Sequence, residues 1–210
     1  MQARRLLLVV SSPSGGGKTT ICDNLLEQDE KLSRSISVTT RPERGKEEHG
    51  REYHFVSEDK FEKLIKANRF LEWAKVHSYK YGTLKSEVIK KHKQGQDVLL
   101  IIDVQGALSI KQNYPEAILI FLQPPSLKVL EQRLRGRGTD SNKAIAERLR
   151  NAKCELKLSK EYDYQVISHS VEYATEKMQA IITAERLREI HPSIAKRKLK
   201  SKLRLYKKIR

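Results

Sequence analysis

Leu6-Leu-Leu-Val-Val10 runs directly into Ser11-Ser-Pro-Ser-Gly-Gly-Gly-Lys-Thr-Thr20, and the reading of this stretch decides the fold. Consecutive apolar residues without polar alternation describe a strand buried on both faces. The glycines at 15, 16 and 17 let the chain turn with positive φ and bring backbone N–H groups against an anion. A helix is predicted from Thr19 to Gln28, so its positive end begins at that anion. Lys18 is placed to reach the β- and γ-phosphates of a nucleoside triphosphate, and Thr19 Oγ to ligate Mg²⁺. Ser14, Gly15, Gly16, Gly17, Lys18, Thr19 and Thr20 are the predicted triphosphate-binding residues, with Thr19 as the predicted metal ligand. The strict pattern G-x-x-x-x-G-K-S/T has glycine where this chain has Ser12. The loop tolerates that change if Ser12 keeps an ordinary β or bridge conformation. A plain glycine turn capping a helix would need neither Lys18 nor Thr19.

Working outward, similar apolar runs appear at Val98–Ile102, Ile118–Leu122 and Gln165–Ser168, with a shorter candidate at Ser35–Val38. Helical patterns fall between them, over 57–68, 85–93, 106–112, 126–135, 142–159 and 172–191. Buried strands alternating with helices predict an α/β fold, a parallel sheet flanked by helices. Ligands of such sheets sit beyond the carboxyl ends of the strands. The glycine loop after Val10, the arginines after Val38 and Asp103 after Ile102 are all expected there, as one shared site.

A chain of 210 residues fits one α/β domain with inserted subregions. It has no apolar run long enough for a membrane span. The basic start followed by Leu6–Val10 imitates a signal peptide, but the apolar part is short and runs straight into the glycine loop. Cys22 and Cys154 stand far apart without a C-x-x-C, which suits a reducing, cytoplasmic setting. The net charge is +16, and residues 191–210 supply nine Lys or Arg and no acid. The remaining excess suits an enzyme of polyanionic substrates; no specific nucleic-acid partner is expected, and any binding by the basic tail is expected to be weak and non-specific. Leu199, Leu203, Tyr206 and Ile209 recur near helical spacing within it. It is read as a solvated extension, against the alternative of a membrane- or RNA-binding helix.

The second substrate is read from other segments. Arg41 and Arg44 flank a proline-stiffened turn, and guanidinium forks match phosphate bidentately. Gly50-Arg-Glu-Tyr-His-Phe55, Phe70-Leu-Glu-Trp-Ala74 and Tyr79-Lys-Tyr-Gly-Thr83 each set hydrogen-bonding side chains among aromatics. Singly, Tyr53 and Tyr81 also look like half-buried packing residues, and Glu72 like a solvated charge.

In their order, with S-G-G-G-K-T before them and I-D-V-Q-G after, these segments resemble the guanylate kinases, a family of P-loop nucleoside monophosphate kinases. The resemblance covers about residues 5–190. It implies transfer of the γ-phosphate of ATP to GMP, with Mg²⁺ and with dGMP a weaker acceptor. It implies a GMP phosphate held by Arg41, Arg44, Tyr53 and Tyr81, and a guanine read by Ser37, Glu72, Thr83 and Asp103. The chemistry agrees, because a carboxylate at 72 can accept both N1–H and N2–H of guanine, whereas adenine offers an acceptor at N1. Ser37 and Thr83 can donate to O6. The resemblance also implies a domain over residues 1–190, with core 1–34, 94–125 and 157–190, GMP-binding region 35–93 and lid 126–156. Residues 191–210 are the tail.

In Arg133-Leu-Arg-Gly-Arg-Gly138 the glycines make an adaptable turn. The resemblance implies that this segment closes over ATP and that Arg137 and Arg148 contact the transferring phosphoryl, with Lys18 and Arg41 completing the catalytic set. Phosphoryl transfer asks for positioning and positive charge rather than a protein nucleophile. Arg135 and Arg150 fit a solvated face, and Arg133 is a weaker catalytic candidate. Three departures stand out. Ser12 replaces a glycine, Ile101 stands where the family usually has an acid, and His169 replaces an asparagine near the adenine. Two other readings remain: an inactive guanylate-kinase-like binding module, which predicts a degraded phosphate loop, and a basic P-loop protein that binds nucleic acid, which would not need the 37–83 constellation.

Overall fold

The structure is a computed structural model that describes residues 5–76, 78–136, 138 and 141–188. The central sheet is all parallel. In chain order its strands are β1 (Leu7–Ser11), β2 (Leu32–Arg34), β7 (Asp97–Ile101), β8 (Ile118–Gln123) and β9 (Tyr164–Ile167), arranged β2-β7-β1-β8-β9. The phosphate-loop strand is therefore the middle one, hydrogen-bonded on both sides. Leu8 and Val10 pack on one face against Ile21 and Leu25 of α1 (Lys18–Gln28) and Met178 and Ile182 of α7 (Val171–Leu187). Leu7 and Val9 face the other way, towards Val88 of α3 (Lys85–Lys93) and Val104, Ala107 and Ile110 of α4 (Val104–Asn113). Each such Val, Leu, Ile or Met side chain stabilises the fold by about 1.5–3 kcal/mol when fully buried. At the amino ends of the strands, Asp97 accepts from the Leu6 N–H and from Arg186 Nε, tying α7 to the sheet.

The predicted strand at Ser35–Val38 is corrected. The strand of the central sheet is β2, three residues earlier, and the chain leaves that sheet after the Ser35 N–H bonds Leu99 O. Val38 belongs to a second core with Phe61 and Phe70. Its own strand, β3 (Val38–Thr39), lies in a second sheet with β4 (His54–Phe55), β5 (Phe70–Val76) and β6 (Tyr79–Leu84), in the order β4-β3-β6-β5. The two arginines thus follow a strand of this second sheet rather than of the central one. Helix α2 (Glu58–Lys66) starts at Ser57, whose side chain accepts from Lys60 N, and it stacks Phe61 on Phe70. Gly82 makes room there, since a Cβ at that position would lie 2.8 Å from the Phe70 ring.

Beyond β8, α5 (Leu127–Arg135) and α6 (Asn142–Lys157) pack on each other through Leu130, Leu134, Ile145 and Ala152. The helix predicted over 142–159 ends at Lys157 in a short 3₁₀ turn, and that predicted over 172–191 is described to Leu187. No described helix is long and apolar enough to cross a membrane.

Candidate active site

The phosphate loop connects β1 to α1. Gly15 and Gly17 have φ of 85° and 83°, in the left-handed region that glycine adopts without penalty. Ser12 is buried and is not among the residues with positive φ, so its side chain is accommodated. A Cβ on Gly15 would fall 2.7 Å from Leu134, so α5 seats directly on the loop. Helices α2, α4, α5, α6 and α7 each begin with a side-chain cap, from Ser57, Asp103, Ser126, Ser141 and Ser170. Helix α1 begins at Gly17 with no side-chain cap. Its first N–H groups therefore keep their capacity for an anion. Lys18 Nζ donates to Ile102 O at 2.9 Å. Burial lowers its pKa, opposed by the carboxylates of Asp103 and Glu155. Thr19 and Thr20 are exposed on the first turn of α1.

Opposite this loop a cavity of about 220 Å³ is lined by Lys18, Thr19, Ser37, Tyr53, Glu72, Tyr81, Ile101 and Asp103, together with Arg34. Glu72 and Thr83 are cross-strand partners in the β5–β6 hairpin and share a face. Thr83 Oγ1 donates to Glu72 Oε1 at 2.7 Å. The Thr83 hydroxyl, expected to donate to guanine O6, here donates to Glu72. Burial pushes the Glu72 carboxyl up to about 7; the Thr83 hydrogen bond opposes the shift and the Asp103 charge adds to it. Asp103 caps α4, accepting from Gly106 N at 2.9 Å.

Arg41 is buried, with its guanidinium 5.3 Å from the Tyr53 ring centroid and 5.7 Å from that of Phe55. It donates to Glu47 Oε1 and to Pro42 O, both at 2.8 Å. Glu47 Oε2 also accepts from the Arg44 N–H at 2.9 Å, so one carboxylate organises both arginine positions. The hydrogen bond from Arg41 holds the Glu47 carboxyl below its usual range. The Arg44 side chain itself is exposed.

On the donor side, Arg148 Nη1 donates to Ser14 Oγ at 2.9 Å, joining α6 to the phosphate loop. Arg133 donates to the Ser168 hydroxyl and carbonyl at 3.1 and 2.7 Å. Arg135 is paired with Glu131 on the surface. His169 is exposed and meets the Tyr173 ring edge-on at 5.5 Å. Arg137 and the tail 191–210 lie outside the described residues.

Three neighbours of the site escaped the sequence reading. Arg34, at the end of β2, lines the cavity and is held by a 3.5 Å ion pair to Asp23. Glu47 organises the arginines, and Glu155 lies beside Lys18, partly buried. Charge alternation in 41–52 signals ion pairing, but spacing alone does not choose among Glu43, Glu47, Glu48 and Glu52 as the partner of Arg41.

A parallel sheet with a glycine loop and an uncapped helix after its middle strand, facing a side-chain pocket on a second sheet, defines a P-loop kinase with a separate acceptor site. Comparison with known proteins narrows the class. The guanylate kinase family model matches residues 4–185. The chain is 47% identical over 183 residues to a guanylate kinase of Caldanaerobacter subterraneus, covering 87% of this chain and 89% of that one. It is 46% identical over 186 residues to that of Syntrophomonas wolfei, covering 89% and 95%. The crystal structure of guanylate kinase from Anaplasma phagocytophilum superposes with a TM-score of 0.73 at 29% identity, covering 90% of this chain and 89% of that one. This chain belongs to the guanylate kinase family.

Proposed function

We propose the following division of labour for the reaction of this chain, an ATP:GMP phosphotransfer yielding ADP and GDP. One observation carries it: a single cavity is lined both by Lys18 and Thr19, at the uncapped start of α1, and by Glu72, Tyr53, Tyr81, Ser37 and Asp103. The backbone of Ser14–Thr20 cradles the ATP phosphates. Lys18 leaves Ile102 O for the β- and γ-oxygens, and its depressed pKa reflects the cost of burying that charge without an anion.

On the acceptor side, Glu72 accepts from guanine N1–H and N2–H, held by Thr83, while Ser37 donates to O6 and Asp103 completes the base site. Arg41, Arg44, Tyr53 and Tyr81 take the GMP phosphate. Glu47 pre-orients the arginines in its absence. Arg137 and Arg148 place positive charge on the transferring group, so that the protein supplies position and field rather than a nucleophile.

The residues fit Mg²⁺ brought in with ATP. Thr19 lies at the loop, and the described residues contain no cluster of three His, Cys, Asp or Glu able to cage an ion. Thr19 Oγ would hold the ion, which when bound neutralises phosphate charge. Ile101 puts an apolar wall where the family usually has an acid.

Regions 35–93 and 126–156 act as acceptor region and lid on the core, and approach each other when both nucleotides bind. Hydrogen exchange over these segments should slow with GMP plus a non-hydrolysable ATP analogue, and unchanged exchange counts against closure. A cytoplasmic location fits two free thiols, one of them buried. No specific nucleic-acid partner is proposed.

The test is a panel of nucleoside monophosphates with Mg·ATP. GMP should be the fastest acceptor and dGMP weaker, and ATP hydrolysis without acceptor should be slow. AMP or UMP phosphorylated at the rate of GMP would sink the guanine site.

A further inference from the structure

Glu72 reaches the base site from β5, and its carboxylate rests on the first turn of α4. The residue beneath it is Gly106, the third residue of that helix. A Cβ built on Gly106 would lie 2.6 Å from Glu72 Oε2 and 3.2 Å from Glu72 Cδ, with Ile102 Cδ1 also at 3.2 Å. The first distance is well inside van der Waals contact, so both groups cannot keep their places. The other carboxylate oxygen is fixed by Thr83 Oγ1 at 2.7 Å, and the side chain is only 6% exposed. Backbone freedom does not explain the glycine, because Gly106 has a helical conformation and lies inside a helix, where alanine is preferred. The absent methyl is what the position supplies.

We propose that Gly106 is a specificity-determining position: it forms the seat that fixes the Glu72 carboxylate, between Thr83 and the start of α4, in the orientation that accepts two N–H groups from one edge of guanine. The inference rests on the assignment of Glu72 to the base. Gly106 touches no substrate and acts only through Glu72. In Gly106→Ala the far end of the Glu72 side chain gives way more easily than the helix. The fold is kept, and the two-point acceptor turns off its target.

The experiment compares wild type, Gly106→Ala and Glu72→Gln, with GMP and with inosine monophosphate, which lacks the 2-amino group. The melting temperature of each protein is measured alongside. Gly106→Ala is expected to raise the KM for GMP about tenfold or more, the loss of roughly one charge-assisted hydrogen bond. Its kcat should change less than its KM, the GMP-to-inosine-monophosphate preference should fall towards that of Glu72→Gln, and the melting temperature should be unchanged or higher. A wild-type KM and preference in Gly106→Ala, while Glu72→Gln loses both, overturns the role of Gly106 and leaves the base assignment standing. A wild-type preference in Glu72→Gln overturns both.

If Gly106→Ala melts early, Glu72→Asp decides the matter, because the shorter side chain withdraws from the seat. Adding Gly106→Ala to Glu72→Asp should then cost much less, in KM and in melting temperature, than adding it to wild type. An equal cost in the two backgrounds overturns the proposal.

Discussion

The two halves of the cavity are built on different principles. The phosphate loop is made of main chain: one short contiguous stretch, two glycines with positive φ and the free N–H groups of α1. The acceptor pocket is made of side chains, delivered by the loop after β2 and by β5, β6 and α4, with Glu47 arranging the arginines from a further loop. A main-chain site tolerates exchange of side chains that do not touch the ligand, as Ser12 illustrates. A side-chain site depends on each member and on whatever fixes its orientation.

The largest effect should come from the charged side chain of the phosphate loop. Lys18→Ala is expected to lower kcat by about 10²–10³-fold, the scale of one preorganised charge at a developing charge. The melting temperature of the free protein should not fall, since burial of Lys18 disfavours its charge and offsets its bond to Ile102 O. Steady-state rates and a thermal melt check both, and near-normal turnover would remove the phosphate-loop half of the comparison.

Glu72→Gln keeps shape but turns one acceptor into a donor, and should lower kcat/KM for GMP by about 10²-fold, with AMP nearly unchanged. The same variant sharpens the comparison through stability. The folded pKa of Glu72, about 7, lies above the ordinary 4.5. The stabilising contribution of this group is therefore complete below pH 4.5 and is lost as pH rises through 7. At pH 8 Glu72→Gln should be more stable than wild type by up to about 3 kcal/mol, an advantage that vanishes at pH 4.5. Denaturant melts at the two pH values read this directly.

A third effect follows from the same ionisation. The proposed contact of Glu72 with guanine needs the carboxylate, so GMP affinity should fall about tenfold from pH 8 to pH 6, the change in ionised fraction for a group titrating at about 7. GMP itself protonates at its phosphate near pH 6, by analogy with a phosphomonoester of about that pKa. Glu72→Gln isolates that contribution, and equal pH profiles for the two proteins would break the link to Glu72.

The smallest effect is expected where the main-chain principle holds. Ser12→Gly should change kcat/KM less than about threefold, because Ser12 has no strained φ to relieve and its hydroxyl bonds the neighbouring Pro13 O. Removing residues 192–210 should likewise leave turnover within about threefold while abolishing most salt-sensitive binding to RNA or anionic vesicles. A tenfold loss of kcat/KM on truncation, about 1.4 kcal/mol, would assign the tail to the catalytic unit.

Strands β1, β7 and β8 of the central sheet were legible because they are buried and almost wholly apolar and the glycine loop punctuates the first of them, whereas the edge strand β2, Leu-Ser-Arg, carries no such run. The second sheet was not legible. Phe70–Val76 and Tyr79–Leu84 mix Glu72, Lys75, Lys80 and Gly82 with aromatics, since one face meets a small core and the other a polar cavity. The switch of sheets after Ser35 was hidden for a related reason: Ile36 and Val38 alternate correctly for a strand, but the core that buries Val38 is made by Phe61 and Phe70, far along the chain.

By itself the sequence determined the phosphate-loop pattern and the parallel α/β class, and it offered residue types that suit an acceptor phosphate and a guanine, because these are written in contiguous stretches or in the resemblance of ordered segments. Tertiary structure alone decided which carboxylate holds Arg41, that Thr83 spends its proton on Glu72, and that the space for that carboxylate is an absent methyl at Gly106. These are contacts between atoms carried by different elements. Their distances follow from how strands pair and helices pack, and no local pattern of residues encodes them.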